Sequence, residues 1–115
     1  MTIPKKVHIY EVGPRDGLQN EKKIIPTNIK VKLINKLSEC NFKNIEVGSF
    51  VSPRWVPQMA DSNKVLERIK KKQGIKYPVL TPNLKGFQDA IKNKVDTICV
   101  FVTASEKFSM KNTNC

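Results

Sequence analysis

Short apolar runs and helical stripes of apolar residues alternate along this chain. Lys6-Val7-His8-Ile9-Tyr10 is rich in β-branched and aromatic residues and predicts a first strand, stopped by Gly13-Pro14. Pro26-Thr27 then predicts a helix start with Thr27 as N-cap, and Ile29, Leu33, Ile34, Leu37 and Cys40 fall on one face at helical spacing. Asn41-Phe42-Lys43 closes that helix, and Asn44-Ile45-Glu46-Val47-Gly48 predicts a brief second strand. A second helix is expected from Ser62, with Val65, Leu66 and Ile69 inward and Gly74 past its end. Tyr77-Pro78-Val79-Leu80 predicts a third strand, although Pro78 argues for an edge position. Thr81-Pro82-Asn83 turns into a third helix through Phe87, Ala90 and Ile91. Thr97 to Val102 is a continuous apolar run, expected as a parallel strand buried on both faces.

The rhythm is βαβαβαβ, which implies an α/β fold with a parallel sheet and right-handed crossovers. Periodicity does not separate an open doubly wound sheet from part of a barrel. No repeat, low-complexity tract or linker divides the chain, so one structural unit is expected over residues 1–115.

The densest chemistry follows the first strand. Glu11-Val12-Gly13-Pro14-Arg15-Asp16-Gly17-Leu18-Gln19-Asn20-Glu21 sets a guanidinium, carboxylates and amides where the first strand ends. Such crowding at the C-terminal end of a strand is typical of α/β active sites. On spacing alone, a hairpin-like turn containing Asp-Gly fits as well. Glu46 is the other unusual residue, because a carboxylate in mid-strand is costly unless paired. It either faces outward to solvent or pairs with Arg15 on the neighbouring strand end, and the paired arrangement is preferred.

Val12 to Glu21 resembles the first-strand motif of hydroxymethylglutaryl-CoA lyases. Three further stretches resemble the same family in the same order: Gly48 to Asp61, Tyr77 to Phe87, and Ala104-Ser105-Glu106 leading into Lys111-Asn112-Thr113-Asn114-Cys115. Claisen-type synthases such as isopropylmalate synthase belong to the same superfamily but tend to carry Glu where Leu18 stands, which favours the lyase. The resemblance implies the N-terminal part of a (β/α)8 TIM barrel, with about four parallel strands and three helices. A complete barrel typically needs about 250 residues, so this chain of 115 is expected to be a partial, truncated catalytic domain.

The resemblance also implies roles. The family reaction splits 3-hydroxy-3-methylglutaryl-CoA into acetyl-CoA and acetoacetate with a divalent cation, Mg²⁺ or Mn²⁺. Asp16 matches the carboxylate metal ligand, and Arg15 matches the arginine that stabilises the enolate and contacts substrate. Glu46 matches a second carboxylate near the metal that orients Arg15 or a bound water. Gln19 supports that loop, and Ser49 and Asn112 match polar positions around substrate or CoA. Lys22 is either a CoA-phosphate contact or a plain surface lysine. The apolar residues of the loop 49–61, Phe50, Trp55 and Met59, are expected to pack over the barrel mouth or wall the substrate. The family completes its metal shell with two histidines and an asparagine from later strands, and adds a cysteine on a mobile loop. None has a counterpart here, and His8 matches no ligand. One carboxylate holds Mg²⁺ poorly, so little or no lyase activity is expected from this chain alone. One departure is Val102, where the family often has a small residue, and a β-branched group is expected to crowd the interior.

Composition alters this picture little. The formal charge is +11, which suits a polyanion. Yet the lysines are scattered and no aromatic residues interleave with them as a base-stacking platform requires, so nucleic acid is disfavoured. They are read as solvated surface, with CoA phosphates a local use for some of them. A non-catalytic basic interaction domain is the remaining alternative to the lyase and the synthase. Three widely spaced cysteines make no metal-type pairing, and Cys40 and Cys99 are expected as core thiols in a reducing compartment. No apolar run approaches membrane-spanning length, and the segment before the first strand is too short for a presequence. A cytoplasmic location is therefore the expectation, with the mitochondrial matrix as the eukaryotic alternative. Open sheet edges would call for self-association or a complementing C-terminal half, besides the small acyl-CoA substrate.

Overall fold

The computed structural model describes residues 2–112, with the side chain of Asn112 outside that description. The elements run β1 (Tyr10–Glu11), α1 (Thr27–Leu37), β2 (Asn44–Ile45), β3 (Gly48–Ser49), α2 (Ser62–Arg68), β4 (Val79–Leu80), α3 (Leu84–Lys92), β5 (Ile98–Cys99) and α4 (Glu106–Asn112). All ladders are parallel: β1 pairs with β2, β3 with β4, and β4 with β5. Between β2 and β3 the chain stays in the sheet, because the Glu46 N–H reaches Glu11 O at 2.8 Å and the Val47 N–H reaches Pro78 O at 3.0 Å. Neighbours in the sheet are thus neighbours in sequence, with no reversal of order. That is the winding of a barrel, whereas a doubly wound sheet reverses direction at a switch point.

Pro78 explains the lapse between β2 and β3. It has no N–H to donate, so the regular ladder breaks there, while the carbonyls of Lys76 and Pro78 still accept from Ile45 and Val47 at 3.0 Å each. The proline is fully buried in an interior strand position, and the edge placement expected from sequence is corrected.

The core lies on one side of the sheet. Ile45, Val47, Tyr77 and Val79 meet Ile34 of α1 and Val65, Leu66 and Ile69 at α2. Strand residues alternate between faces, so Ile45 and Val47 face the helices and Glu46 points to the opposite, inner face. The stripe predicted for α2 is borne out by burial. That for α1 is only partly so: Ile34 is buried, but Ile29 and Cys40 are exposed and the polar Lys30 is buried in their place. Cys40 is therefore not a core thiol.

Three other expectations need correction. The first strand is Tyr10–Glu11, and Val7, His8 and Ile9 before it are exposed. Thr27 does not cap α1; Pro26 takes the N-cap position and the Thr27 hydroxyl donates to Asp61 Oδ2 at 2.6 Å. The apolar run 97–102 forms only the short β5, with Val100 68% and Val102 94% exposed. Nothing among the described residues pairs with its far edge, and Val102 crowds none of them. The helix α4 was not anticipated.

Candidate functional site

The turn after β1 is built by its own carbonyl. Val12 O accepts from the N–H groups of Arg15 at 3.1 Å and Asp16 at 2.7 Å, winding Gly13–Gly17 into a single wide helical turn. Pro14 fits near its start, where a missing N–H costs nothing. Gly13 leaves room for the Glu11 carboxylate, whose Oε1 accepts the Gly13 N–H at 2.7 Å; a Cβ there would stand as close to that oxygen and push the flexible side chain aside. The turn aims Arg15 across the sheet end to Glu46.

The Arg15 Nε donates to Glu46 Oε1 at 2.5 Å, and Nη1 donates to Asp16 Oδ1 at 3.0 Å and Gln19 Oε1 at 3.4 Å. The side chains of Arg15 and Glu46 are 16% and 5% exposed, whereas Asp16 is 55% exposed. Opposite charges so enclosed hold each other in place. The structure thus brings Arg15, Asp16, Gln19 and Glu46 together at the ends of the parallel strands.

Ser49 lies next to them on β3 but is buried, and its hydroxyl donates to Leu80 O at 3.3 Å. It lines a cleft of about 540 Å³ with Gln19, Trp55, Phe101 and Lys111. Trp55 stands exposed at this rim while Met59 is buried, so the apolar loop both packs and presents surface. Lys22 is exposed beside a smaller cleft of about 250 Å³ that also touches Gln19 and Trp55. Asn112 ends α4, and its side chain lies outside the described residues.

Two features escaped the sequence reading. The Tyr10 hydroxyl contacts the Cys99 thiol on β5, 89 positions along the chain. Burial pushes the Tyr10 phenol well above its usual range, and Cys99 and the Glu46 carboxylate push it further. Burial likewise raises the Cys99 thiol; the contact with Tyr10 opposes this and the Glu46 charge reinforces it. Only the inward parity of positions 10, 46 and 99 could have signalled the cluster. The second feature is the buried ammonium of Lys30, which meets Asp61 Oδ1 at 2.6 Å and the carbonyl of Gln58. Burial alone would raise the Asp61 carboxyl, but the Lys30 ammonium and Thr27 hydroxyl more than offset it and hold it below the usual value.

Asp16 supplies one hard oxygen to the mouth, the donor type that Mg²⁺ and Mn²⁺ prefer. Among the described residues no group of three His, Cys, Asp or Glu side chains converges on a metal position. The residues present therefore fit a divalent ion as one ligand of a larger shell. No helix among the described residues is long and apolar enough to cross a membrane.

Residues 6–115 match the family model described as HMGL-like. The mitochondrial hydroxymethylglutaryl-CoA lyase of Rattus norvegicus is 59% identical over 99% of this chain and 35% of its own length. A cytoplasmic 3-hydroxy-3-methylglutaryl-CoA lyase of Mus musculus is also 59% identical, over 98% of this chain and 33% of its own. The crystal structure of hydroxymethylglutaryl-CoA lyase from Pseudomonas aeruginosa superposes with a TM-score of 0.91 at 53% identity, covering 100% of this chain and 38% of that one. The chain thus spans little more than a third of such relatives, which include both mitochondrial and cytoplasmic proteins. With the matched turn, sheet order and paired guanidinium in one place, the chain belongs to the HMGL-like family and has the fold of the N-terminal part of a hydroxymethylglutaryl-CoA lyase barrel.

Proposed function

We propose that this chain forms the first part of the catalytic domain of a lyase that cleaves 3-hydroxy-3-methylglutaryl-CoA to acetyl-CoA and acetoacetate. The observation that carries the reading is the Arg15 guanidinium fixed by Glu46 at 2.5 Å, with Asp16 and Gln19 on its other nitrogen. Carbon–carbon cleavage leaves negative charge on the enolate of the departing thioester. Arginine stays charged and presents a rigid fork of donors, so a guanidinium held in advance needs no reorganisation as that charge develops. In this assignment Nε and Nη1 hold the fork in place, and Nη2 serves the enolate oxygen. Glu46 neutralises and orients the guanidinium, acting as a positioning residue. Gln19 and Ser49 border the substrate cleft, as does Asn112 by its place in the motif.

A divalent cation, Mg²⁺ or Mn²⁺, when bound through Asp16 and ligands from other residues, makes the substrate hydroxyl more acidic. The exposure of Asp16 at the mouth supports its part in holding that ion. The chain by itself is expected to turn over no substrate, because a single carboxylate leaves the ion largely hydrated.

A chimera tests the assignment: residues 6–112 replace the matching first part of the Pseudomonas aeruginosa lyase. Acetoacetate release that requires Mg²⁺ or Mn²⁺ and is lost with Asp16→Ala or Arg15→Gln is the expected result. A folded chimera without turnover, or one indifferent to Asp16→Ala, overturns it.

A further inference from the structure

The segment 21–25 follows the turn that carries Arg15, Asp16 and Gln19, and it contains no regular element. Backbone groups of such a segment must bond elsewhere. Three of them go to one side chain. Gln58 Oε1 accepts from Ile25 N at 2.8 Å, while Nε2 donates to Glu21 O at 3.1 Å and Lys23 O at 2.9 Å. Gln58 is 3% exposed and sits in the short turn Pro57–Met59, within the loop after β3.

That turn is itself held from α1. Lys30 is also 3% exposed, and its ammonium donates to the carbonyl of Gln58 and to Asp61 Oδ1 at 2.6 Å. Thr27, one helical turn earlier, donates to the other Asp61 oxygen at 2.6 Å. A lysine buried on a helix face is expensive to desolvate, and such pairs are weak devices for stability. What this one does contribute is geometry, since it fixes two loops against one helix by directional bonds. Just beyond Asp61, the Ser62 hydroxyl accepts from Ser49 N at 3.0 Å, so the same loop is tied to the strand that borders the cleft.

We propose that Gln58, locked by the Lys30–Asp61 pair, is a positioning residue that sets the Arg15-Asp16-Gln19 loop for the reaction proposed above. Without the latch, segment 21–25 loses its three hydrogen bonds to the second loop, and the guanidinium loses its fixed approach to Glu46. The idea rests on the lyase reading for its purpose but not for its measurement.

The test uses the ¹⁵N-labelled 115-residue chain and two signals: exchange of the Ile25 amide and the Arg15 Nε–H resonance, which reports the hydrogen bond to Glu46. In Gln58→Ala the Ile25 amide is expected to exchange at least about tenfold faster, the loss of one net hydrogen bond of order 1.4 kcal/mol. The Arg15 resonance should move toward the solvent-exposed position, while amides of α2 and β4 keep their protection. Lys30→Met should reproduce the Arg15 change and Lys30→Arg should restore the native signal, since a guanidinium still donates to both acceptors. An unmoved Arg15 signal in Gln58→Ala, or a uniform loss of protection, overturns the proposal. Should Gln58→Ala not fold, Gln58→Glu removes both donors while keeping the Ile25 acceptor, and the same comparison applies. An inactive chimera with intact coupling here would sink the lyase reading and leave the latch standing; the reverse pattern would do the opposite.

Discussion

Arg15 and Glu46, 31 positions apart, meet at 2.5 Å across the end of two parallel strands. The carboxylate occupies the inner face between Ile45 and Val47, whose side chains face the helices. Its position is thus dictated by strand parity, and its charge is tolerated because the guanidinium arrives from the neighbouring strand.

Removing one member of such a pair strands the other. Glu46→Ala is expected to destabilise the fold by about 3 kcal/mol, the usual cost of leaving a buried charge uncompensated. Urea unfolding followed by circular dichroism measures it, and a loss below about 0.5 kcal/mol would show that Arg15 finds solvent or another partner.

Asp61 predicts an acid limb. Its folded pKa lies below the ordinary value of 3.8. The stabilisation is therefore complete above 3.8 and is lost as pH falls past it toward the lower folded value. Thermal melts between pH 5 and pH 2 should show a fall that Asp61→Asn flattens, because the amide has no proton to gain. An equally steep fall in that variant would place the acid sensitivity elsewhere.

Gly86 is a contact point between α3 and the loop after β3. A Cβ there would stand 2.6 Å from Phe50 O, a backbone atom that cannot rotate away. Although Ala suits a helix better than Gly, Gly86→Ala should lower stability by about 1–3 kcal/mol, the cost of overpacking. An unchanged or higher urea midpoint would mean the loop moves freely.

The far side of β5 predicts stickiness. Val100 and Val102 are 68% and 94% exposed, in the segment just past β5, whose outer edge has no partner among the described residues. Val102→Lys should reduce sedimentation of aggregates at high concentration while changing stability by less than about 0.5 kcal/mol. Unaltered aggregation would direct attention to the β1 edge.

How much of this the sequence showed depends on the range of the interaction. The α2 stripe and the Asn83 turn are local: periodicity reveals the first, and the second is an asparagine side chain accepting from Gly86 N at 2.9 Å. The turn carrying Arg15 and Asp16 was legible because Pro14 fixes the backbone at its start and the glycines on either side permit a tight change of direction. Cys40 and Ile29 were misplaced because a helical stripe says which residues share a face, not how wide a face the neighbours cover. Val100 and Val102 were misplaced because an apolar run reports what a strand can bury, and burial also needs a covering element.

The alternation of strands and helices up to β5 and the clustering of Arg15, Asp16 and Gln19 follow from the sequence by itself, since each depends on local residues. The parallel sheet follows from that alternation, because the crossovers through helices leave successive strands pointing the same way. Only the tertiary structure decided that strand neighbours follow chain order as in a barrel, that Glu46 meets Arg15, the preferred partner, and not solvent, and that Lys30 is an interior cation. Those are meetings between residues 28 to 31 positions apart, and a chain's local preferences fix neither their distance nor their partner until the sheet and helices have packed.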